Sequence, residues 1–197
     1  VPIIENFVNS HPVERDFGKT WTRVLPESAY LLVDAGTGER PLAGWSETFP
    51  HFLGGKSEKP DAQFYRLWGE SPFGDDYVGE MAAAAVDALG LGKGPGTDYL
   101  AMSFDALDSV GHAYGPQSHE VQDTLVRLDA TIGKLLAHLD RAVGVKNYVV
   151  AFSADHGVAP IPERMMREGI EAGRVATSEV VARVEKALEP LLGAGKH

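Results

Sequence analysis

Apolar residues fall along the chain in three patterns, and each predicts a different kind of element. The clearest is Val121, Leu125, Leu128, Ile132, Leu135, Leu136 and Leu139, at steps of 4, 3, 4, 3, 1 and 3. That spacing keeps every member on one stripe of a 3.6-residue helix, so it predicts an amphipathic helix over residues 118–142. Ser118 stands where an N-cap is needed, Glu120 and Asp123 suit the positive end of the helix dipole, and Gly144 stops the run. Residues 77–91, rich in Ala, predict a second helix ended by Gly90, Gly92 and Gly94. Val180, Val181, Val184, Leu188 and Leu191 predict a third, over 177–192. Unbroken apolar runs are the second pattern: Tyr99-Leu100-Ala101-Met102 and Tyr148-Val149-Val150-Ala151-Phe152 predict buried strands. The third pattern is irregularity. Over residues 1–75, seven prolines are scattered among glycines and aromatics, which predicts turns, with short strands near 30–33.

Strand, long helix, strand is a βαβ unit, so the chain is expected to be an α/β fold with a largely parallel sheet flanked by helices. A right-handed crossover brings the carboxyl ends of both strands to one sheet edge, where ligands of open α/β sheets bind. The expected organisation is one partial domain over residues 1–197. Within it, 1–75 form an irregular cap-like segment and 76–197 an α/β core with ligand-bearing loops.

Composition narrows the chemistry. With 28 acidic against 18 basic residues the net charge is −10, which disfavours broad binding to a nucleic-acid polymer or an anionic membrane. No apolar run is long enough to span a bilayer. The absence of cysteine removes disulfides, thiolate zinc sites and cysteine nucleophiles. The start, Val1-Pro2-Ile3-Ile4-Glu5, carries neither an initiator Met nor the features of a secretory signal. Both ends, including Gly193-Ala194-Gly195-Lys196-His197, are compatible with a piece of something longer.

The residues that follow the two predicted strands carry the candidate chemistry. Asp105, Asp108 and His112 follow the first; Asp155 and His156 follow the second. Imidazole nitrogen with carboxylate oxygen suits a divalent transition metal, zinc above all, without any thiolate. Two carboxylate–imidazole pairs suggest two ions, which can hold the attacking and leaving oxygens of a phosphoryl displacement. A lone Asp after a strand is more often a turn former, and Asp105 is read that way. His119-Glu120-Val121-Gln122-Asp123 lacks the second histidine of a zinc-protease helix, so Glu120 and Asp123 are read as first-turn acids. His138 is assigned to a solvated flank. Neither Ser103 nor Ser153 has the flanking glycines of a nucleophile elbow.

The segment from Ser103 to Pro116 resembles the alkaline phosphatase superfamily, most closely its type I phosphodiesterase/nucleotide pyrophosphatase branch, which includes bacterial alkaline phosphatases. Ser153-Ala154-Asp155-His156-Gly157-Val158 resembles that family's second metal segment. Phe17-Gly18-Lys19-Thr20-Trp21, Phe49-Pro50-His51 and Ser71-Pro72-Phe73-Gly74 extend the likeness over nearly the whole chain. The resemblance implies Asp108 and His112 on one zinc, Asp155 and His156 on a second, and hydrolysis of phosphate esters through a phosphorylated Thr or Ser. It also implies export to the periplasm or outside the cell. The family's nucleophile and its early Asp ligand lie upstream of this stretch, and a further His ligand lies downstream. His197 has no matching context, so no nucleophile is assigned here. Two other readings stand beside the leading one: a sulfatase or phosphoglycerate mutase-like relative, and a noncatalytic module that binds metal or a partner.

Overall fold

The computed structural model describes residues 2–42, 44–193 and 195; Val1, at the chain start, and His197, which has no assigned role, lie outside the described residues. The chain divides into two compact units, Val1–Pro160 and Ile161–His197.

In the first unit, helix α1 (Pro2–Ser10) leads through a 3-10 turn into strand β1 (Thr20–Trp21), which pairs antiparallel with β2 (His51–Phe52). Helices α2 (Ala62–Gly69), α3 (Pro72–Leu89), α4 (Ala106–Tyr114) and α5 (His119–Ala142) follow. Local chemistry explains their bounds. Asp61 caps α2 by accepting from the Gln63 and Phe64 N–H groups. Pro72 opens α3, and Gly90, at φ +62°, closes it in the left-handed conformation that costs glycine nothing. Ser118 caps α5 through the Val121 N–H. The second unit holds α6 (Pro162–Arg167) and α7 (Thr177–Leu192), the latter spanning the predicted 177–192 with no buried residue.

The stretch after the first apolar run, expected as one of the ligand-bearing loops, is instead helix α4, because Gly111 is tolerated mid-helix and Val110, Ala113 and Tyr114 gain a buried face. Of the expected parallel sheet the described residues show no ladder; the one ladder among them is the antiparallel pair β1–β2. The runs at 99–102 and 148–152 carry no ladder bonds, and Tyr99 and Val149 are 90% and 96% exposed. Apolarity read as burial requires something to cover it, and among the described residues most of these side chains are left exposed. Residues 1–75 also hold more regular structure than expected, namely α1, α2 and the small ladder, while 30–33 is a bend.

One core joins these pieces. Trp21, Trp45, Phe49, Leu53, Phe64 and Leu67 pack with Val110, Ala113 and Tyr114 of α4 and Val121 of α5. His51 lies in its middle, with ring centroids 4.8–5.4 Å from Phe49, Trp45, Trp21 and Tyr114. Its Nε2 meets Glu120 Oε1 at 2.9 Å, and both side chains are fully buried. Beside it lies a second acid, Glu39, whose Oε1 accepts from the Gly36 N–H at 2.8 Å while its Oε2 is buried without a partner. Burial pushes the Glu39 carboxyl up to about 7; the Gly36 N–H opposes this, and the charges of Glu120, Asp34 and Glu47 add to it. Between its ordinary 4.5 and about 7 the folded chain therefore holds a proton that the unfolded chain has lost, so stability falls as pH rises through that window. Glu39→Gln keeps the bond to Gly36 and removes the charge. It is expected to raise stability at pH 8 by on the order of 1–3 kcal/mol and to flatten the pH dependence between 5 and 8. Urea titrations across that range check it.

Candidate metal centre

Helix α4 is built to show one face to the core and the other to solvent. Ala106, Val110, Ala113 and Tyr114 are buried, whereas Asp108 and His112, one turn apart, are exposed. Their approach, Asp108 Oδ1 to His112 Nε2, is 3.3 Å. The third group arrives from the loop after the second apolar run: His156 Nε2 lies 3.5 Å from the same Asp108 oxygen, with the His112 and His156 rings 6.2 Å apart. One donor atom from each of Asp108, His112 and His156 lies within 4.8 Å of the others, and no other such group of three occurs among the described residues. Asp155 is outside that group. Its Oδ1 accepts the His156 N–H at 3.0 Å and its Oδ2 lies 3.4 Å from His156 Nε2.

The loop fixes which imidazole nitrogen is free. His156 Nδ1 donates to the Gly157 carbonyl at 3.1 Å, leaving Nε2, the atom nearest Asp108, with its lone pair available. The Gly157 bond, then the charges of Asp155 and Asp108, hold the imidazole pKa above its ordinary 6.5. Two imidazole nitrogens and a carboxylate oxygen, all solvent-accessible, fit a divalent transition metal with open coordination positions.

Close packing of α4 against this loop depends on Gly111. A Cβ there would sit 2.6 Å from Val158 Cγ2, and Val158 is two residues from His156. Gly111→Ala is expected to push the loop off the helix and weaken metal binding about tenfold, in the range of overpacking effects. Val158→Ala in the same background is expected to restore it. Zinc titration calorimetry on the single and double variants checks both.

The remaining sequence candidates have other roles. Ser103 Oγ donates to Asp105 Oδ1 at 2.7 Å on the surface, and His138 Nε2 pairs with Asp87 at 3.0 Å between α5 and α3. Glu120 and Asp123, read as first-turn acids, are completely buried and bind residues far away in sequence.

Over residues 36–189 the chain fits the family described as type I phosphodiesterase / nucleotide pyrophosphatase, and it belongs to that family. It is 33% identical over 162 residues to alkaline phosphatase PhoV of Synechococcus elongatus, covering 81% of this chain and 28% of PhoV. Against alkaline phosphatase PafA of Elizabethkingia meningoseptica, identity is 33% over 159 residues, 79% of this chain and 29% of PafA. The crystal structure of wild-type PafA superposes with a TM-score of 0.79 at 30% identity, over 98% of this chain and 36% of that one. The fold is therefore alkaline phosphatase-like, and the chain spans about three tenths of the curated relatives' length.

Proposed function

We propose that this chain is the metal-holding part of a phosphoric ester hydrolase, with Asp108, His112, Asp155 and His156 as zinc ligands. The observation that carries the proposal is the convergence of Asp108, His112 and His156 donor atoms at an exposed site in a chain of this family. Bound zinc would supply Lewis-acid stabilisation of phosphoryl oxygens and lower the pKa of a nucleophilic hydroxyl. The chain's own groups set the geometry: α4 holds Asp108 and His112 one turn apart, and the Gly157 carbonyl fixes the His156 tautomer. A second ion, taking Asp155 and His156, needs further ligands, and we place these and the Thr or Ser nucleophile outside these residues. The runs at 99–102 and 148–152, apolar and largely exposed, are read as neighbouring parallel strands of the complete sheet. Substrates are small phosphate esters rather than nucleic-acid polymers, and the site of action is the periplasm or cell exterior. No helix among the described residues is long and apolar enough to cross a membrane.

The experiment compares this chain with the full-length product of its gene on chromogenic phosphate monoesters and diesters. The full-length protein is expected to turn over both or one of them, to lose activity to a chelator and to regain it with zinc. The chain alone is expected to bind zinc yet give no product burst and no phosphorylated protein, since covalent catalysis needs the hydroxyl. Fast turnover by the chain that vanishes in Ser103→Ala or Ser153→Ala would overturn the placement of the nucleophile. Failure of both proteins to bind zinc would overturn the whole reading.

A further inference from the structure

The N-terminus of α4 is unusual in how its first amide is satisfied. Its N-cap residue, Asp105, has helical dihedrals (φ −103°, ψ −11°) and makes no capping bond with its own side chain. That side chain instead takes the Ser103 hydroxyl at 2.7 Å. The Ala106 N–H is met from another helix: Asp75, in the first turn of α3, accepts it through Oδ1 at 3.2 Å. Asp75 is 4% exposed, its Oδ2 is buried without a partner, and it lines a cavity of about 160 Å³ with Ser103 and Asp105. An orphan helix amide buried without an acceptor costs about 1–3 kcal/mol, so the bond matters to the start of α4.

Helix α3 is itself a fixed support. Gly79 lets it approach α5 so closely that a Cβ would lie 2.5 Å from Thr131 Cγ2, and Asp76 accepts the Thr131 hydroxyl. A chain of contacts therefore runs from α5 through α3 and Asp75 to the first amide of α4. Asp108 and His112 sit two and six residues beyond that amide, on a helix of only nine residues. A helix this short frays readily when its first turn is uncapped. Fraying there would spread the Asp108 and His112 donors apart.

We propose that Asp75 is a positioning residue for the metal site: it caps α4 from the neighbouring helix and so sets the direction in which Asp108 and His112 are presented. The proposal rests on the reading of α4 as a metal-ligand helix. Asp75 acts through an acceptor oxygen rather than through charge. Burial pushes its carboxyl up to about 6, the N–H groups of Ala106 and Asp105 opposing this and the Asp105 charge adding to it. Asparagine keeps the acceptor and alanine removes it, which separates capping from charge.

The test uses the 197-residue chain in four forms: the parent, Asp75→Ala, Asp75→Asn and Val86→Ala. Val86 is a buried α3 residue eleven positions, about three turns, beyond Asp75, and its truncation loosens the same helix away from the Ala106 bond. Zinc affinity is read by calorimetry, the order of α4 by hydrogen exchange at the Ala106 amide, and stability by Tm. Asp75→Ala is expected to weaken zinc binding roughly tenfold, the low end for an outer-shell partner, and to accelerate exchange at Ala106. Asp75→Asn is expected to return both to near the parent values. Val86→Ala is expected to lower Tm at least as far while leaving affinity and local exchange alone. Parent-like affinity and exchange in Asp75→Ala overturns the proposal, as does an equal loss of affinity in Val86→Ala. If the parent takes up no zinc, the metal reading of α4 falls, and with it the positioning role. Accelerated Ala106 exchange in Asp75→Ala would then still separate that failure from an error about the cap.

Discussion

Replacing His156 by alanine is expected to reduce zinc affinity by at least about 100-fold, whereas His138→Ala leaves it unchanged. Loss of an outer-shell partner alone typically costs 10–100-fold, and His156 is a direct donor in the proposed set. With it gone, the Asp108–His112 pair and the lone Asp155 carboxylate remain, and exposed ligand sets that incomplete hold an ion poorly. His138 offers the contrast because its ring is committed to Asp87 of α3, 3.0 Å away, and it is not in the group of donors around Asp108. Equal affinities for the two variants, measured by competition with a chromogenic chelator, would remove His156 from the ligand set.

The same ligand fixes a pH dependence whose sign follows from its surroundings. Metal and proton compete for Nε2, and the Gly157 carbonyl, with Asp155 and then Asp108, holds the imidazolium more tightly than an ordinary histidine. Zinc affinity should therefore be complete above the raised pKa and decline as pH falls through it, beginning on the alkaline side of 6.5. His156→Ala removes one proton from this competition, so the variant's affinity will depend less steeply on pH. An affinity in the parent that stays flat from pH 8 to 6 would contradict the assignment.

How much of this was legible beforehand depended on the range of the interaction involved. Helix α5 was readable from Ser118 to Gly144 because capping and a 3.6-residue apolar stripe are local properties. Even there, the buried face differs from the apolar one: Leu125 is 48% exposed, while Glu120, Asp123 and Thr124 are sealed. Short-range patterns cannot show that an acid has a partner a hundred residues away. The strand ends pointed to Asp108, His112, Asp155 and His156 because chemistry-bearing side chains after apolar runs are a sequence signal. The helix under Asp108 was hidden by Gly111, whose lack of a side chain serves Val158 rather than a turn. Asp75 left no trace of its own, since an acid in the first turn of a helix has an ordinary explanation. Its bond to Ala106 exists only in three dimensions.

The largest expected effect on stability falls on one of those misread acids. Asp123 is fully buried, and its two oxygens gather the Trp21 indole N–H at 2.6 Å, the Val24 N–H at 2.7 Å, the Arg127 Nε at 2.6 Å and the Tyr30 hydroxyl. Arg127 is on α5 with Asp123, while Trp21 lies in β1 and Val24 and Tyr30 follow it, so a single carboxylate ties that strand and the segment after it to α5. Tyr30 registers the attachment: burial first, then the bond to Asp123, pushes its phenol up to about 12. Alanine at 123 would leave the Trp21 indole and the Tyr30 hydroxyl buried without that acceptor and the part-buried Val24 amide unmet, and would take from Arg127 its carboxylate partner while its bond to the Thr22 carbonyl remains. Breaking a buried charged network from one side costs roughly 3–5 kcal/mol, a large share of the 5–15 kcal/mol available to a typical domain. Asp123→Asn preserves the shape but turns an NH₂ towards two or more donors, so about 2–3 kcal/mol is expected. Because Trp21 is among the lost partners, its fluorescence should change in the folded state of both variants before any denaturant is added. Urea midpoints within the error of the parent would show that the network carries little of the fold. A large loss in Asp123→Ala with none in Asp123→Asn would instead assign the cost to the vacated volume rather than to the charge.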